Sequence, residues 1–542
     1  MSRLVDNLLI LPVIVPLVAA AALLPIDDQR RRLKAAISVA AVAGCLVVAL
    51  LLLRLAGTNG DVAIPRSVVY RLGDWPAPFG IVLVLDRLSA MMLVLTSTLA
   101  LATLVFSLAN WSRAGSHFHS LFLFLIMGLN GAFLTGDLFN LFVFFEILLA
   151  ASYGLVLHGS GRARVRAGLH YIAVNLVASS LFLVGVSLVY GVLGSLNMAD
   201  IAQRISAIPD SDRVLFEAGA AILGVAFLVK AGMWPLGFWL PGAYSAAAPP
   251  MAAMFAIMTK VGFYIVLRLS LLLFGPEAGG LAHFGGAWLI VGGMITVIFG
   301  SIGILAAQDL ARLASYCVVI SAGTLLAALG IGGISLIGGA LFYLVTSTLA
   351  IGAFFMLTEL AERGRMAGAD VLAVTMEAYG ETDEDDIDDR PEEGGVAIPG
   401  TMAILGLSFV ACALLIAGLP PLSGFVAKFL MLRALIDTGD GGVGGASWIL
   451  TALLLLSGFA GVIAMVRAGM RTFWLPLEGT APRVRLIEMA PIVGLLLLCV
   501  LLTVEAGPVM GFIERTAQSL YEPDAYIESV IPSAPIIPRD RP

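Results

Sequence analysis

The chain has little charge, little cysteine and no motif that would hold a redox group. Only 13% of its 542 residues are Asp, Glu, Lys or Arg, too few to solvate the surface of a soluble protein this long. Its four cysteines (Cys45, Cys317, Cys412, Cys499) are scattered through apolar stretches with no C-x-x-C. That excludes a disulfide framework or an iron–sulfur site, and they read as small buried hydrophobes. No two histidines are spaced for haem ligation, and no glycine-rich nucleotide fingerprint follows a strand. The expectation is no cofactor and no hydrolytic chemistry, with metal binding left open.

What is present is apolar sequence. Hydrophobic residues make up 60% of the chain, and the mean hydropathy is +1.00. Runs of ~20 residues, enough to span a ~30 Å hydrocarbon layer as helix, recur almost without interruption, and window hydropathy finds about 14 of them. Barrel strands would alternate rather than stay apolar. The fold class is therefore an all-α polytopic membrane protein. The first run, Asn7 to Pro25, resembles a signal peptide in length. Asp6 precedes it, however, no A-x-A site closes it, and Arg30, Arg31, Arg32 and Lys34 follow, so it reads as a retained span.

Loop charges suggest an orientation. Basic residues cluster after the first run (RRRLK), after the fifth (Arg162, Arg164, Arg166), near the end of the eleventh (Arg363, Arg365) and between the last two (Arg467, Arg471, Arg483, Arg485). If spans alternate, these loops share one side, which the positive-inside rule makes cytoplasmic, with both termini outside. Arg66 and Arg71, in the long outer loop after the second run, run against the trend. The net charge of −6 comes mostly from Asp370 to Glu393, which holds eleven acids and one arginine. This inner segment, 364–398, reads as a solvated insertion or as a docking surface for a basic partner. Residues 56–81 mix turn residues with alternating VVYRLG-type sequence and read as a short hairpin over the outer mouth.

Four ionisable side chains stand inside apolar runs: Glu146 (FNLFVFFEILLAASYGL), Lys230 (AILGVAFLVKAGMWPL), Lys260 (MAAMFAIMTKVGFYIVL) and Lys428 (LPPLSGFVAKFLML). A charge at the centre of a membrane helix costs at least ~2.5–3.5 kcal/mol, so the default reading is a charge relay through the membrane. Burial disfavours an ammonium and a nearby carboxylate opposes this. A lysine whose carboxylate approaches and retreats therefore takes up and releases a proton, and Glu146 is the expected carboxylate for Lys230. Lys230 stands beside a break (Gly232, Pro235, Pro241), and Lys428 beside another (Gly418, Pro420, Pro421, Gly424). The two breaks lie five spans apart, which suggests two five-helix units with an ion site near the midplane.

Bland readings stand beside the sharp ones. Lys260 and Lys428 could snorkel, Lys230 could bind carbonyls freed by its break, and Glu146 could be a static counter-ion. Asp137, which begins the fifth run, reads as an N-cap or as an accessory group of the relay. Asp309 and Arg312, three apart, read as a local ion pair or as accessory groups likewise. His170, beside the inner basic loop, is a candidate point of proton uptake.

These residues resemble the antiporter-type membrane subunit family shared by Mrp-type cation/proton antiporters, the membrane arm of complex I and membrane-bound hydrogenases. DNLLILPVIVPLV, WPAPFGIVLVLDRLSA, MGLNGAFLTGDLFNLFVFFEILLAASY and PLGFWLPGAYSAAAPPMAAMFAIMTKVGFY carry the likeness, over roughly residues 5 to 510, and the first three are similar to its D-type (MrpD) subunits. The resemblance implies 14 helices, two inverted five-helix repeats and broken helices 7 and 12. It also assigns the functional positions to Glu146, Lys230, Lys260 and Lys428. Many relatives carry a His and a Lys on helix 11, where this chain has Thr346, Ser347 and Thr348; waters held by these hydroxyls would have to link Lys260 with Lys428.

The expected organisation is residues 1–117 for helices 1–3, 118–275 and 283–470 for the repeats, 487–508 for helix 14 and 509–542 for an outer tail. The resemblance implies a secondary transporter subunit, not an enzyme, in a bacterial inner or plasma membrane. It would pass protons inward against sodium export. Its expected partners are Mrp subunits A, B, C, E, F and G, protons, Na+ and the lipid bilayer, with no nucleic acid. The alternative is a pump module driven by redox chemistry in a complex I-like or hydrogenase assembly.

Overall fold

The computed structural model describes residues 2–27, 29–58, 67–363, 400–437, 443–474 and 484–531. The acidic segment 364–398 and the last part of the expected tail, 532–542, lie outside the described residues.

The first three helices are α1 (Ser2–Leu23), α2 (Arg31–Thr58) and α3 (Arg87–Ser107). Next come α4 (Phe118–Leu134), α5 (Leu138–Val156), α6 (Arg162–Leu193), a short α7 (Met198–Arg204), α8 (Asp210–Ala231), α9 (Leu240–Ala246) and α10 (Pro249–Leu273). A second series holds α11 (Gly286–Ala306), α12 (Leu310–Ile331), α13 (Ile334–Glu362), α14 (Gly400–Ala417), α15 (Ser423–Ile436) and α16 (Gly445–Gly469). The chain closes with α17 (Leu486–Val504), α18 (Ala506–Tyr521) and α19 (Asp524–Val530).

Twelve of the described helices are long and apolar enough to cross a membrane, and the shorter apolar helices Asn7–Leu23 and Phe118–Leu134 complete the set read from hydropathy. Large apolar side chains such as Leu169, Val177, Leu407, Phe459 and Leu497 point outward, as a lipid-facing surface requires. Helices α10, α12 and α13 are enclosed almost entirely by others. They form the centre on which the site is built.

Both expected breaks are present. Helix α8 ends at Gly232, whose φ of +76° suits a residue without Cβ, and the chain resumes at α9. Helix α14 ends at Gly418, with φ +77°, and Pro420 and Pro421 precede α15. The first series thus runs helix, helix, helix, broken helix, helix, and the second repeats that order. An odd number of crossings per unit makes the second begin on the opposite side of the membrane.

Two peripheral segments differ from expectation. The hairpin pairs Val68–Arg71 (β1) with Val82–Leu85 (β2) in antiparallel register, Val69 opposite Val84. It therefore extends past residue 81 into the VLVL sequence, whose side chains are all buried, because that apolar strand seals against the helices. The segment expected as a tail carries α18 and α19. Ile513, Ala517 and Leu520 on α18 are buried, and the Tyr521 hydroxyl accepts from Gly333 N at 2.6 Å.

Candidate functional site

Lys230 lies in the last turn of α8, just before the break, and is buried. Its ammonium donates to Asn175 Oδ1 on α6 at 2.9 Å and lies 5.9 Å from the centre of the Phe145 ring. Asn175 Nδ2 in turn donates to Tyr171 O at 2.7 Å. Glu146, on α5 and partly buried, accepts a short hydrogen bond from Ser179. Asn175 and Ser179 are four residues apart and so share one face of α6. The direct Glu146–Lys230 pairing expected from sequence is not formed: among the described residues no ion pair within 4.0 Å joins them, and each meets a side chain of α6 instead. The reason is local, since α6 offers each group a neutral partner first.

Lys260, on α10, is 1% exposed and cannot snorkel. Its Nζ donates to Ser321 Oγ on α12 at 2.5 Å, and Ser321 Oγ lies 3.0 Å from Ser347 Oγ on α13. Two residues on from Lys260, Gly262 lets α10 lie against the end of α8 that carries Lys230: a Cβ there would stand 2.5 Å from Ala231 N.

Ser347 also lines a cavity of about 30 Å³ whose walls include Thr346, Tyr343, Cys317, Ser457 and Lys428. Such a volume suits about two waters. Thr346 Oγ1 is buried there without a protein partner. Lys428 Nζ donates to Ala417 O at 2.8 Å and to Ile416 O at 3.4 Å. These are carbonyls that the end of α14 leaves free, so the carbonyl-binding considered for Lys230 is found at Lys428 instead. Gly424 makes this possible, because any Cβ there would collide with the Leu415 carbonyl.

The remaining sequence candidates lie apart from this line. Asp137 caps α5, accepting from Asn140 N at 2.8 Å. Burial pushes its carboxyl above the usual range despite hydrogen bonds from Asn140 and Phe139. His170 is exposed, its Nδ1 3.0 Å from Arg166 O. The expected Asp309–Arg312 ion pair is not formed among the described residues. Both side chains are exposed, where an ion pair gains little over separate hydration. Thr348 Oγ1 is turned back to Leu344 O at 2.6 Å. Pro235 lies in the first break and Pro241 opens α9. No group of three or more His, Cys, Asp or Glu among the described residues could hold a metal ion.

Asn175, Ser179 and Ser321 were missed by sequence reasoning. A signal existed for Asn175: a neutral amide inside YIAVNLVASSLFL is also costly unless satisfied. Serine is common enough in membrane helices that the other two gave none.

Residues 135–454 match the family described as "NADH:quinone oxidoreductase/Mrp antiporter, TM". The D-type subunit of a probable K(+)/H(+) antiporter of Rhizobium meliloti (strain 1021) is 59% identical over 539 residues, 99% of each chain. Its counterpart in an Na(+)/H(+) antiporter of Alkalihalophilus pseudofirmus is 33% identical over 97% of this chain and 99% of its own. Among solved structures, a chain of the Mrp complex from Dietzia sp. DQ12-45-1b superposes with a TM-score of 0.79 at 25% identity, covering 97% of this chain and 99% of that one.

Proposed function

The chain belongs to the NADH:quinone oxidoreductase/Mrp antiporter family as a D-type subunit of a cation/proton antiporter, and we propose that it carries protons along Glu146, Lys230, Lys260 and Lys428. It is a multi-pass membrane transporter subunit rather than an enzyme, and its partners are other subunits of the complex. We further take those partners to be subunits A, B, C, E, F and G, and the site of action to be the bacterial plasma membrane with both termini outside. Residues 118–275 and 283–470 act as the two repeats.

One observation carries this reading: two of the three lysines are held by neutral side chains. A carboxylate partner would lock an ammonium in place. An amide oxygen or a hydroxyl leaves the amine free to exist in either state, and a serine hydroxyl donates or accepts as required. The Lys260–Ser321–Ser347 chain then passes a proton by each hydroxyl giving one proton and taking another. Water in the adjoining cavity carries it to Lys428. Movement of Glu146 towards or away from Lys230 sets whether that lysine keeps its proton.

The coupled cation was expected to be sodium. The 59% identical relative is named for potassium, which favours a second reading in which potassium is exported. Either accords with the same proton path. Names of relatives that cover the whole chain also support antiport over the redox-driven alternative. The test is antiport by everted vesicles that contain the whole complex, with Na+ and K+ offered separately. Lys230→Ala and Glu146→Ala should each abolish it while the complex still assembles. Unchanged activity in both would remove the mechanism.

A further inference from the structure

Lys260, Tyr264 and Arg268 follow one another at four-residue spacing on α10, so they stand in a column on one helix face. Eight residues of helix place Arg268 about 12 Å along the axis from Lys260, towards the end that carries the hairpin. The Tyr264 hydroxyl donates to Phe133 O at 2.6 Å and accepts from the Arg268 guanidinium at 2.9 Å. Arg268 Nη1 meets Asp86 Oδ2 at 2.7 Å, and Arg268 is only 6% exposed. Its Nε has no protein partner. The guanidinium lies 5.2 Å from the Tyr264 ring centre and 5.3 Å from that of Tyr526.

A lid lies over this pair. Tyr526 and Val530 of α19 pack with Val82 and Val84 of β2 and Ala199 of α7 in a small apolar cluster separate from the main core. A cavity of about 40 Å³ beside the pair is lined by Asp86, Arg268, Tyr526, Ser67 and Ser519. Asp86 is held from the other side as the N-cap of α3, accepting from Ser89 N at 2.8 Å. Burial alone would push its carboxyl up. The Arg268 guanidinium and the Ser89 hydrogen bonds more than offset this and hold it below the usual carboxylate range.

We propose that the Asp86–Arg268 pair, capped by Tyr526, is the gate between the lysine relay and the hairpin side of the membrane. The inference rests on the reading of Lys260 as a relay group. Arg268 sets a fixed positive charge on the helix face that a proton must follow from Lys260, and positive charge repels positive charge. Asp86 and the two aromatic rings keep that guanidinium in the path. A proton passes only when the pair parts and Arg268 swings aside. Tyr526 makes the C-terminal helices part of the gate.

The experiment uses proteoliposomes of the whole complex, with passive proton leak and coupled antiport measured side by side. Tyr526→Ala, the milder Tyr526→Leu and Asp86→Asn should each raise passive leak about fivefold per assembled complex. Adding Lys260→Ala should return the leak to the wild-type level. Tight vesicles with normal antiport would overturn the gate, as would a leak that survives Lys260→Ala. If neither Tyr526 variant assembles, the ring is only a brace and the proposal falls. Failure of the relay reading is seen separately, as antiport that persists in the Lys260→Ala single variant.

Discussion

Ser321 and Ser347 meet hydroxyl to hydroxyl at 3.0 Å between two enclosed helices: Ser321 of α12 accepts from Lys260 of α10, and Ser347 of α13 faces the cavity of Lys428. On the proposed path this contact links Lys260 to the cavity of Lys428, where the resemblance puts a His and a Lys on helix 11 of many relatives. It also makes the connection a pair of single atoms, which is easily cut.

Ser347→Ala and Ser321→Ala should therefore lower the antiport rate by about a hundredfold, the low end of the range for loss of one positioned proton-transfer group. Because the two act in series, the double variant should be little worse than either single one. Rates in vesicles normalised to assembled complex check this. Additive losses would mean that the hydroxyls act independently.

Asn175 offers a sharper test of neutral partnership. Asn175→Asp places a carboxylate on Lys230 and should hold it as ammonium, so that transport is lost while assembly and thermal stability remain. Asn175→Leu removes the acceptor from a buried amine and should cost about 1–3 kcal/mol of stability, read as a lower melting temperature in detergent.

Close approach at the second break predicts a steric effect. Gly424→Ala puts a methyl group against the Leu415 carbonyl, and overpacking of this kind costs about 1–3 kcal/mol. The yield of assembled complex should fall. Gly494→Ala, where nothing lies within 4 Å of the added carbon, should leave it unchanged.

The Asp137 carboxyl titrates above its ordinary range because burial penalises the charge. Its folded state holds a proton more tightly than its unfolded state, so the stability it contributes is full below the ordinary value of 3.8 and is lost as pH rises through the raised one. Asparagine caps a helix as well as aspartate does and carries no such charge. Asp137→Asn should melt no lower than wild type at neutral pH and gain on it between acid and neutral pH. Its antiport should be retained, and loss of antiport would return Asp137 to the relay.

Much of the molecule was legible from local signals. Membrane residence, the span count and the two breaks follow from hydropathy and from glycine and proline positions within single runs. The four charges set in apolar runs were visible for the same reason, since an ionisable group among apolar neighbours is costly wherever the run packs. What each charge touches was not legible. Lys230 and Asn175 are 55 positions apart, and Lys260 and Ser321 are 61. The hairpin's second strand reads as apolar sequence until its partner is known, and the amphipathic α18 looks like tail until the helices beneath it are in place.

By itself, then, the amino-acid order determined which side chains hydrocarbon would penalise and where the helices must stop. Tertiary structure alone decided that Lys230 and Lys260 meet an amide and a hydroxyl rather than a carboxylate, and that Lys428 meets the open end of a helix. Hydropathy acts through each residue's own transfer energy, whereas a hydrogen bond between helices depends on their rotation and depth, which only packing sets.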